Sequence, residues 1–400
     1  MGLARVTAVA RALGVDKPRC PVITVGGTNG KGSTVAHLDT LLRAAGPKTG
    51  VFTSPHFLRY NERIQVDGTE ASDEELVDAF ERIEQARGST TLTFFEFNAL
   101  AALVIFAGRA VDVAILEVGL GGRLDAVNLV DADVGIVCSV GFDHRDYLGD
   151  TLDLIGAEKA GIFRAGRPAV LGTADMPPSV YEAIASLRAR PVVAGKDFNF
   201  RINDTDRRWS YQGLRLELPD LPPSALPGSI QYTNVATALA ALEALGGVAL
   251  NERVVADALS TVRLPGRFQT VLVDSVEWIL DIAHNEPAAA IFARHVAERA
   301  ARGRTFAVVG ILGDKDAAAI ARWIDPQVDH WFVCSLGGPR GNSAADLAQR
   351  MHLADSRVTL AASVEEGLAA ARATAKPGDR VLVFGSFHTV GPALQWLGLY

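Results

Sequence analysis

The sequence predicts an α/β protein of two domains: an N-terminal domain built on a mostly parallel sheet with helices on both faces, and a smaller C-terminal α/β domain. Three observations carry this reading. A β-branched run, a glycine turn and a helical apolar pattern follow one another over residues 22–45. Continuous apolar runs of strand length, residues 111–116 and 134–140, alternate with helical patterns, as in sheets covered on both faces. Finally, Leu264-Pro265-Gly266-Arg267 breaks the alternation before it resumes, which sets domains at 1–264 and 268–400 with a linker at 265–267.

Taken in order, residues 2–13 have apolar positions at helical spacing and begin abruptly, as if a preceding segment were absent. Residues 48–52 form a second strand. Ser72-Asp73-Glu74-Glu75 caps a helix running to about Arg87, and residues 94–106 form a long apolar helix. The strand at 111–116 ends on Glu117, and the one at 134–140 leads to Asp143 and His144. Residues 198–218 alternate polar and apolar around a Trp-Ser-Tyr-Gln-Gly turn, an antiparallel hairpin. Helices follow at 234–245 and 252–260. Strands at 270–273, 278–282, 305–309, 330–334 and 380–384 make the second domain, whose polar strand ends are expected to face those of the first across a cleft.

The stretch Val22 to Ala45, VITVGGTNGKGSTVAHLDTLLRAA, is where chemistry concentrates. A glycine turn between strand and helix aims backbone N–H groups and a positive helix end at one point, a setting for phosphate. Lys31 adds a full charge, and the hydroxyl of Ser33 or Thr34 is placed to reach a magnesium ion. The spacing departs from G-x-x-x-x-G-K-[ST], because Gly32 separates Lys31 from Ser33 and Val25 takes the first glycine position. The first domain is therefore read as a P-loop domain.

Composition narrows the partners. With 39 basic and 46 acidic residues the net charge is −7, which argues against nucleic acid or an anionic membrane and leaves small anions. Cys20, Cys138 and Cys334 form no C-x-x-C pair and sit in or beside apolar runs, indicating buried thiols in a reducing, cytoplasmic compartment. The longest apolar stretch, near residues 99–107, is shorter than the roughly 20 residues a span requires. A dinucleotide fingerprint starting at Gly119 fails because Leu124 stands where glycine is needed, and Asp146-Tyr-Leu-Gly149 lacks an accompanying guanine reader. Ser54, Glu117 and His144 end separate strands and offer oxygen and imidazole ligands for a divalent cation near a γ-phosphate.

Eight motifs in order, GTNGKGS, TSPHFLRYNER, EVGLGGRLDAVN, DHRDYLG, IGAEKAGIF, PGRFQ, DIAHN and GSFHTV, resemble folylpolyglutamate synthases of the Mur ligase superfamily, and closely their bacterial bifunctional dihydrofolate synthase members. The likeness runs nearly end to end. Chains of that family usually begin with a further N-terminal segment, in keeping with the abrupt start. The departures are Gly26 for a common alanine, Glu286 where a proline is usual, and Gly313 before Asp314-Lys315-Asp316.

The resemblance implies an ATP-dependent ligase that adds L-glutamate to dihydropteroate and to tetrahydrofolates through an acyl phosphate, as a cytoplasmic monomer. It implies that Thr28, Asn29, Gly30, Lys31, Gly32 and Ser33 hold the ATP phosphates, with Asn234, Arg267 and Asp281 as further nucleotide contacts. Ser54, Glu117 and His144 become magnesium ligands. Lys159 corresponds to a carbamylated lysine supporting a second magnesium, so that Lys31, Lys159 and His284 are the catalytic set. Arg63, His284 and Ser386 are implied on the glutamate side, and Phe95, Asp125 and Ala126 in a pterin pocket. Alternatively, Phe95 is plain core and Asp125 caps a turn. Competing functions are a monofunctional polyglutamate synthase, a Mur-type ligase for another amino acid, and a nucleotide-dependent switch without ligase turnover.

Overall fold

The computed structural model describes residues 2–203, 205–299 and 301–400. Two compact units divide the chain: Met1–Ala225 with Ile230–Arg263, and Leu226–Ser229 with Leu264–Tyr400. Around the expected linker, Gly266 N–H donates to Gln269 Oε1 at 3.0 Å and the Gly266 carbonyl accepts from Ile282 N–H at 3.1 Å. These residues are bonded into the second unit.

The larger unit is built on strands β1 (Val22–Gly26), β2 (Thr49–Phe52), β3 (Ile64–Val66), β4 (Thr69–Glu70), β5 (Val113–Glu117), β6 (Val134–Val137), β7 (Pro168–Leu171) and β8 (Arg190–Val193). They form one eight-stranded sheet in the order β4-β3-β2-β5-β1-β6-β7-β8. All neighbours from β2 to β8 in that order are parallel, and β3 and β4 extend one edge antiparallel. Side chains alternate between two cores, as a pleated strand dictates: Ala114 and Leu116 face the helices Ala4–Leu13, Asp73–Arg87 and Phe94–Arg109, while Val113 and Ile115 face Lys31–Ala45, Ile230–Leu245 and Glu252–Thr261. Helices thus cover both faces.

The cap read from sequence is present, Ser72 and Glu75 forming a capping box, and the structure adds a second box at Thr93 and Glu96. The expected hairpin differs. It is a three-stranded antiparallel sheet of β9 (Asn199–Ile202), β10 (Trp209–Gln212) and β11 (Glu217–Leu221), and the residues expected to turn, Trp209 to Gln212, are its central strand. Trp209 and Tyr211 are buried against the helix Ile230–Leu245, with Trp209 edge-on to Tyr232 at 5.6 Å, so packing rather than turn chemistry decides the segment.

The second unit carries β12 (Gln269–Val273), β13 (Val276–Asp281), β14 (Thr305–Val309), β15 (His330–Cys334), β16 (Val358–Ala361) and β17 (Arg380–Phe384), ordered β12-β13-β17-β14-β15-β16. Only β12 is antiparallel. Cys138 and Cys334 are buried free thiols as expected, whereas Cys20 is only partly buried. Among the described residues no helix is long and apolar enough to cross a membrane.

Candidate active site

The parallel register sets Val25 beside Glu117 and Gly26 beside Val137, so the segments after β1, β5 and β6 emerge together at the carboxyl edge. The turn after β1 is closed by its neighbours. Thr28 N–H donates to the Ser139 carbonyl at 2.8 Å, Asn29 N–H to Ser139 Oγ at 3.0 Å, and Thr28 Oγ1 bonds both Gly141 N–H and its carbonyl. Gly30 begins the helix at φ +89, and a Cβ there would lie 2.9 Å from Asn234 Oδ1, so a glycine lets Asn234 approach the turn. Ser33 and Thr34 are buried in the first helical turn, and Thr34 Oγ1 accepts from Cys138 Sγ at 3.4 Å. Lys31 Nζ donates to the carbonyls of Gly27 and Thr28 at 2.9 and 3.1 Å, folded over the turn. Gly32 follows it in the same helix.

Several predicted residues surround this turn. Burial pushes the Cys138 thiol up to about 11, opposed first by its hydrogen bond to Thr34 and then by the charge of Lys31. Lys159, 4% exposed near the end of the helix Leu152–Ala160, is driven down to about 7 by burial and then by the charge of Lys31, against the opposing pull of Asp143. A neutral amine is thus accessible near neutral pH. Asp143 also accepts from His144 N–H at 2.9 Å, and its carboxylate lies 3.9 Å from His144 Nε2. Glu117 is buried at the end of β5 and accepts from Ser54 N–H at 3.2 Å.

This donor set suits magnesium. Among the described residues no three His, Cys, Asp or Glu side chains form a ready cage. Magnesium does not need one, since it keeps water and takes one or two carboxylates together with substrate phosphate oxygens. The residues expected as ligands, Ser54, Glu117 and His144, carry oxygen and imidazole donors of the kind such an incomplete shell uses.

The loop after Glu117 is packed against the helix of Lys159. A Cβ on Gly122 would lie 2.7 Å from the Glu158 carbonyl and 2.9 Å from that of Lys159, and Arg123 bonds Glu158 through both its backbone N–H and its guanidinium. Asp125 is buried and accepts from the N–H groups of Gly119, Leu120 and Val127 at 2.9, 2.8 and 3.0 Å. It therefore caps the loop and the short turn Ala126–Leu129, and burial raises it to about 6 despite those bonds. Phe95 is partly buried, 5.8 Å from Phe52, and its ring tip is where a Cβ on Gly119 would stand. Phe95, Asp125 and the buried Ala126 thus meet at one loop.

Arg63 is buried in the 3-10 turn Tyr60–Arg63. Its Nε–H donates to His56 Nδ1 at 2.7 Å, and its guanidinium lies over Tyr60 and Phe94. Burial lowers its pKa, while Tyr60, Glu62 and Glu117 oppose that shift.

In the second unit, β13 and β17 pair Asp281 with Phe384, bringing the loops after both strands side by side. Asp281 accepts from Phe268 N–H and Ala283 N–H at 2.8 Å each; burial raises its pKa, with the Arg267 charge leading the opposition. His284 Nδ1 donates to the Ile282 carbonyl at 2.9 Å, which orients the ring. Ser386 is buried and caps the helix Phe387–Trp396 through His388 N–H, and Arg267 lies 6.0 Å from the Phe387 ring. The sequence assigns no role to Ser139, Asp143, Gly122 or His56. Asp143, His56 and Gly122 lie inside quoted motifs, whereas Ser139, which holds the turn through its carbonyl and its hydroxyl, stands outside them and nothing in its residue type announces that contact.

Two family models match the chain: the Mur ligase middle domain over residues 25–242, and the Mur ligase, glutamate ligase domain over residues 266–387. The dihydrofolate synthase/folylpolyglutamate synthase of Escherichia coli (strain K12) is 43% identical over 395 residues, spanning 99% of this chain and 91% of that protein. The structure of E. coli FolC in complex with DHPP and ADP superposes with a TM-score of 0.94 at 42% identity, covering 100% of this chain and 93% of that one. A bifunctional folylpolyglutamate synthase/dihydrofolate synthase with Mn, AMPPNP and L-glutamate bound gives 0.92 at 42% identity, covering 100% and 95%.

Proposed function

The chain belongs to the Mur ligase family, and we propose from that premise that it is an ATP-dependent ligase. It adds L-glutamate to dihydropteroate, giving dihydrofolate, and to tetrahydrofolates, extending a polyglutamate chain. The observation that carries this is the end-to-end likeness to bifunctional synthases, one of them holding a nucleotide and glutamate together.

A carboxylate is a poor electrophile. In the proposed reaction its oxygen attacks the γ-phosphorus of ATP, the bond to the bridging oxygen breaks, and ADP leaves an acyl phosphate. The α-amine of glutamate, once deprotonated, attacks the acyl carbon and expels phosphate. Thr28, Asn29, Gly30, Lys31, Gly32 and Ser33 cradle the phosphates, and Lys31 leaves the Gly27 and Thr28 carbonyls to meet the γ-phosphate. Magnesium, when bound, neutralises phosphate charge; Ser54, Glu117, His144 and Lys159 are the residues to hold one or two ions.

Lys159 fits that role as a carbamate. Its buried amine is held near 7, so a neutral fraction is available to add to carbon dioxide, lose a proton and become an anion. Asn234, Arg267 and Asp281 are the remaining nucleotide contacts. Arg63, His284 and Ser386 serve glutamate, with His284 accepting the proton of its amine. Phe95, Asp125 and Ala126 border the pterin. Residues 1–264 serve as the nucleotide-binding domain and 268–400 as the glutamate-ligase domain. In this reading the enzyme works in the cytoplasm as a monomer.

The test is ADP release by the purified chain, expected only when both a pteroate acid and L-glutamate are supplied. Release with neither would indicate a switch-type nucleotidase, and release dependent on another amino acid would indicate a different ligase.

A further inference from the structure

We infer that His56 is a positioning residue which, by taking the Nε–H of Arg63 on its Nδ1, fixes the edge of Arg63 that faces substrate. The Nε–H of an arginine is only ever a donor, so the 2.7 Å contact to His56 requires a lone pair on Nδ1 and puts the ring proton on Nε2. With Nε committed, the side-on edge of the guanidinium is closed. The end-on pair of Nη groups remains, and it makes no hydrogen bond among the described residues although Arg63 is 7% exposed. That pair is a fork matching the two oxygens of a carboxylate.

The surroundings hold this orientation. The rings of Tyr60 and Phe94 lie 5.8 and 5.3 Å from the guanidinium carbon and restrict its plane, while the His56 ring packs 6.0 Å from Tyr60. Glu62 locks the intervening loop, its carboxylate accepting from Phe57, Leu58 and Arg59 N–H at 2.7, 2.7 and 2.6 Å. His56 and Arg63 are therefore the two ends of one clamped loop. This inference rests on the proposal that Arg63 serves the glutamate side, so the carboxylate concerned is one borne by glutamate.

The experiment compares His56→Ala, His56→Asn, Arg63→Ala and the His56→Ala/Arg63→Ala double variant, each checked for folding by thermal melting. His56→Ala is expected to raise the KM for glutamate about tenfold with kcat changed much less, while His56→Asn, whose amide oxygen can take the Nε–H, recovers most of the loss. The double variant should be no worse than Arg63→Ala, because the histidine acts through the arginine. An unchanged KM in His56→Ala, an asparagine variant as impaired as alanine, or additive losses would overturn the inference. If Arg63→Ala moves the KM of the folate instead, the glutamate assignment fails, and non-additivity in that KM still supports the positioning role. In unaltered protein, nitrogen NMR of labelled histidine should report His56 protonated at Nε2; protonation at Nδ1 overturns the inference without any variant.

Discussion

The charge of Lys31 acts on Lys159, adding to burial in holding the Lys159 amine down to about 7. One lysine is read as the cation for the γ-phosphate, the other as a group that works only after losing its own charge. Their proximity links the two roles.

Replacing Lys31 by alanine is expected to lower ATP-dependent turnover about a hundredfold or more, because the transferring phosphoryl group loses its fixed cation. The same change relieves the repulsion on Lys159, leaving less neutral amine and a weaker carbamate signal in carbon NMR with labelled bicarbonate. Circular dichroism should show an unchanged fold. Near-native turnover in that folded variant would remove the phosphate-loop assignment.

His37 predicts a pH effect on stability. It is buried on the helix following the phosphate turn, with Nδ1 on the Ser33 carbonyl at 2.7 Å and Nε2 at Ser224 Oγ at 2.9 Å, and burial lowers it from 6.5 to about 4. Between those values the unfolded chain binds the proton and the folded chain does not. Stability from this site is complete above about pH 6.5 and is lost as pH falls towards about 4, a change of roughly 3 kcal/mol. Urea unfolding of His37→Gln against the unaltered protein should show a flatter decline across that window; parallel declines would contradict it.

These elements were unequally legible. The phosphate turn could be read because its glycines, lysine and hydroxyls are adjacent in sequence, and Glu117 because an apolar strand run ends on it, whereas Lys159 stood out only through the family resemblance, its burial on its helix being invisible in the sequence. β10 was not, since Trp209-Ser-Tyr-Gln followed by Gly213 carries both strand and turn signals, and only the packing on Tyr232 separates them. β16 pairs along one side only, at the edge of its sheet with Leu360 exposed, and has no apolar run to announce it. The bonds of Asp125 to Gly119 and of His56 to Arg63 depend on how loops close in space.

Asp125→Ala removes the acceptor of three backbone N–H groups and is expected to cost about 1–3 kcal/mol of stability. Dihydropteroate-dependent kcat/KM should fall further than tetrahydrofolate-dependent kcat/KM if the residue also borders the pterin. Steady-state kinetics on both acids decides it: equal losses would leave Asp125 as the cap of its loop alone.

In the proposed function one chain joins glutamate to two acids at the expense of ATP. Its most direct test is mass spectrometry of the products formed by purified protein with ATP, magnesium, L-glutamate and either dihydropteroate or tetrahydrofolate. Dihydrofolate is expected from the first mixture and a glutamyl-extended folate from the second, each formed mole for mole with ADP; ADP accumulating with neither product would rule the ligase out.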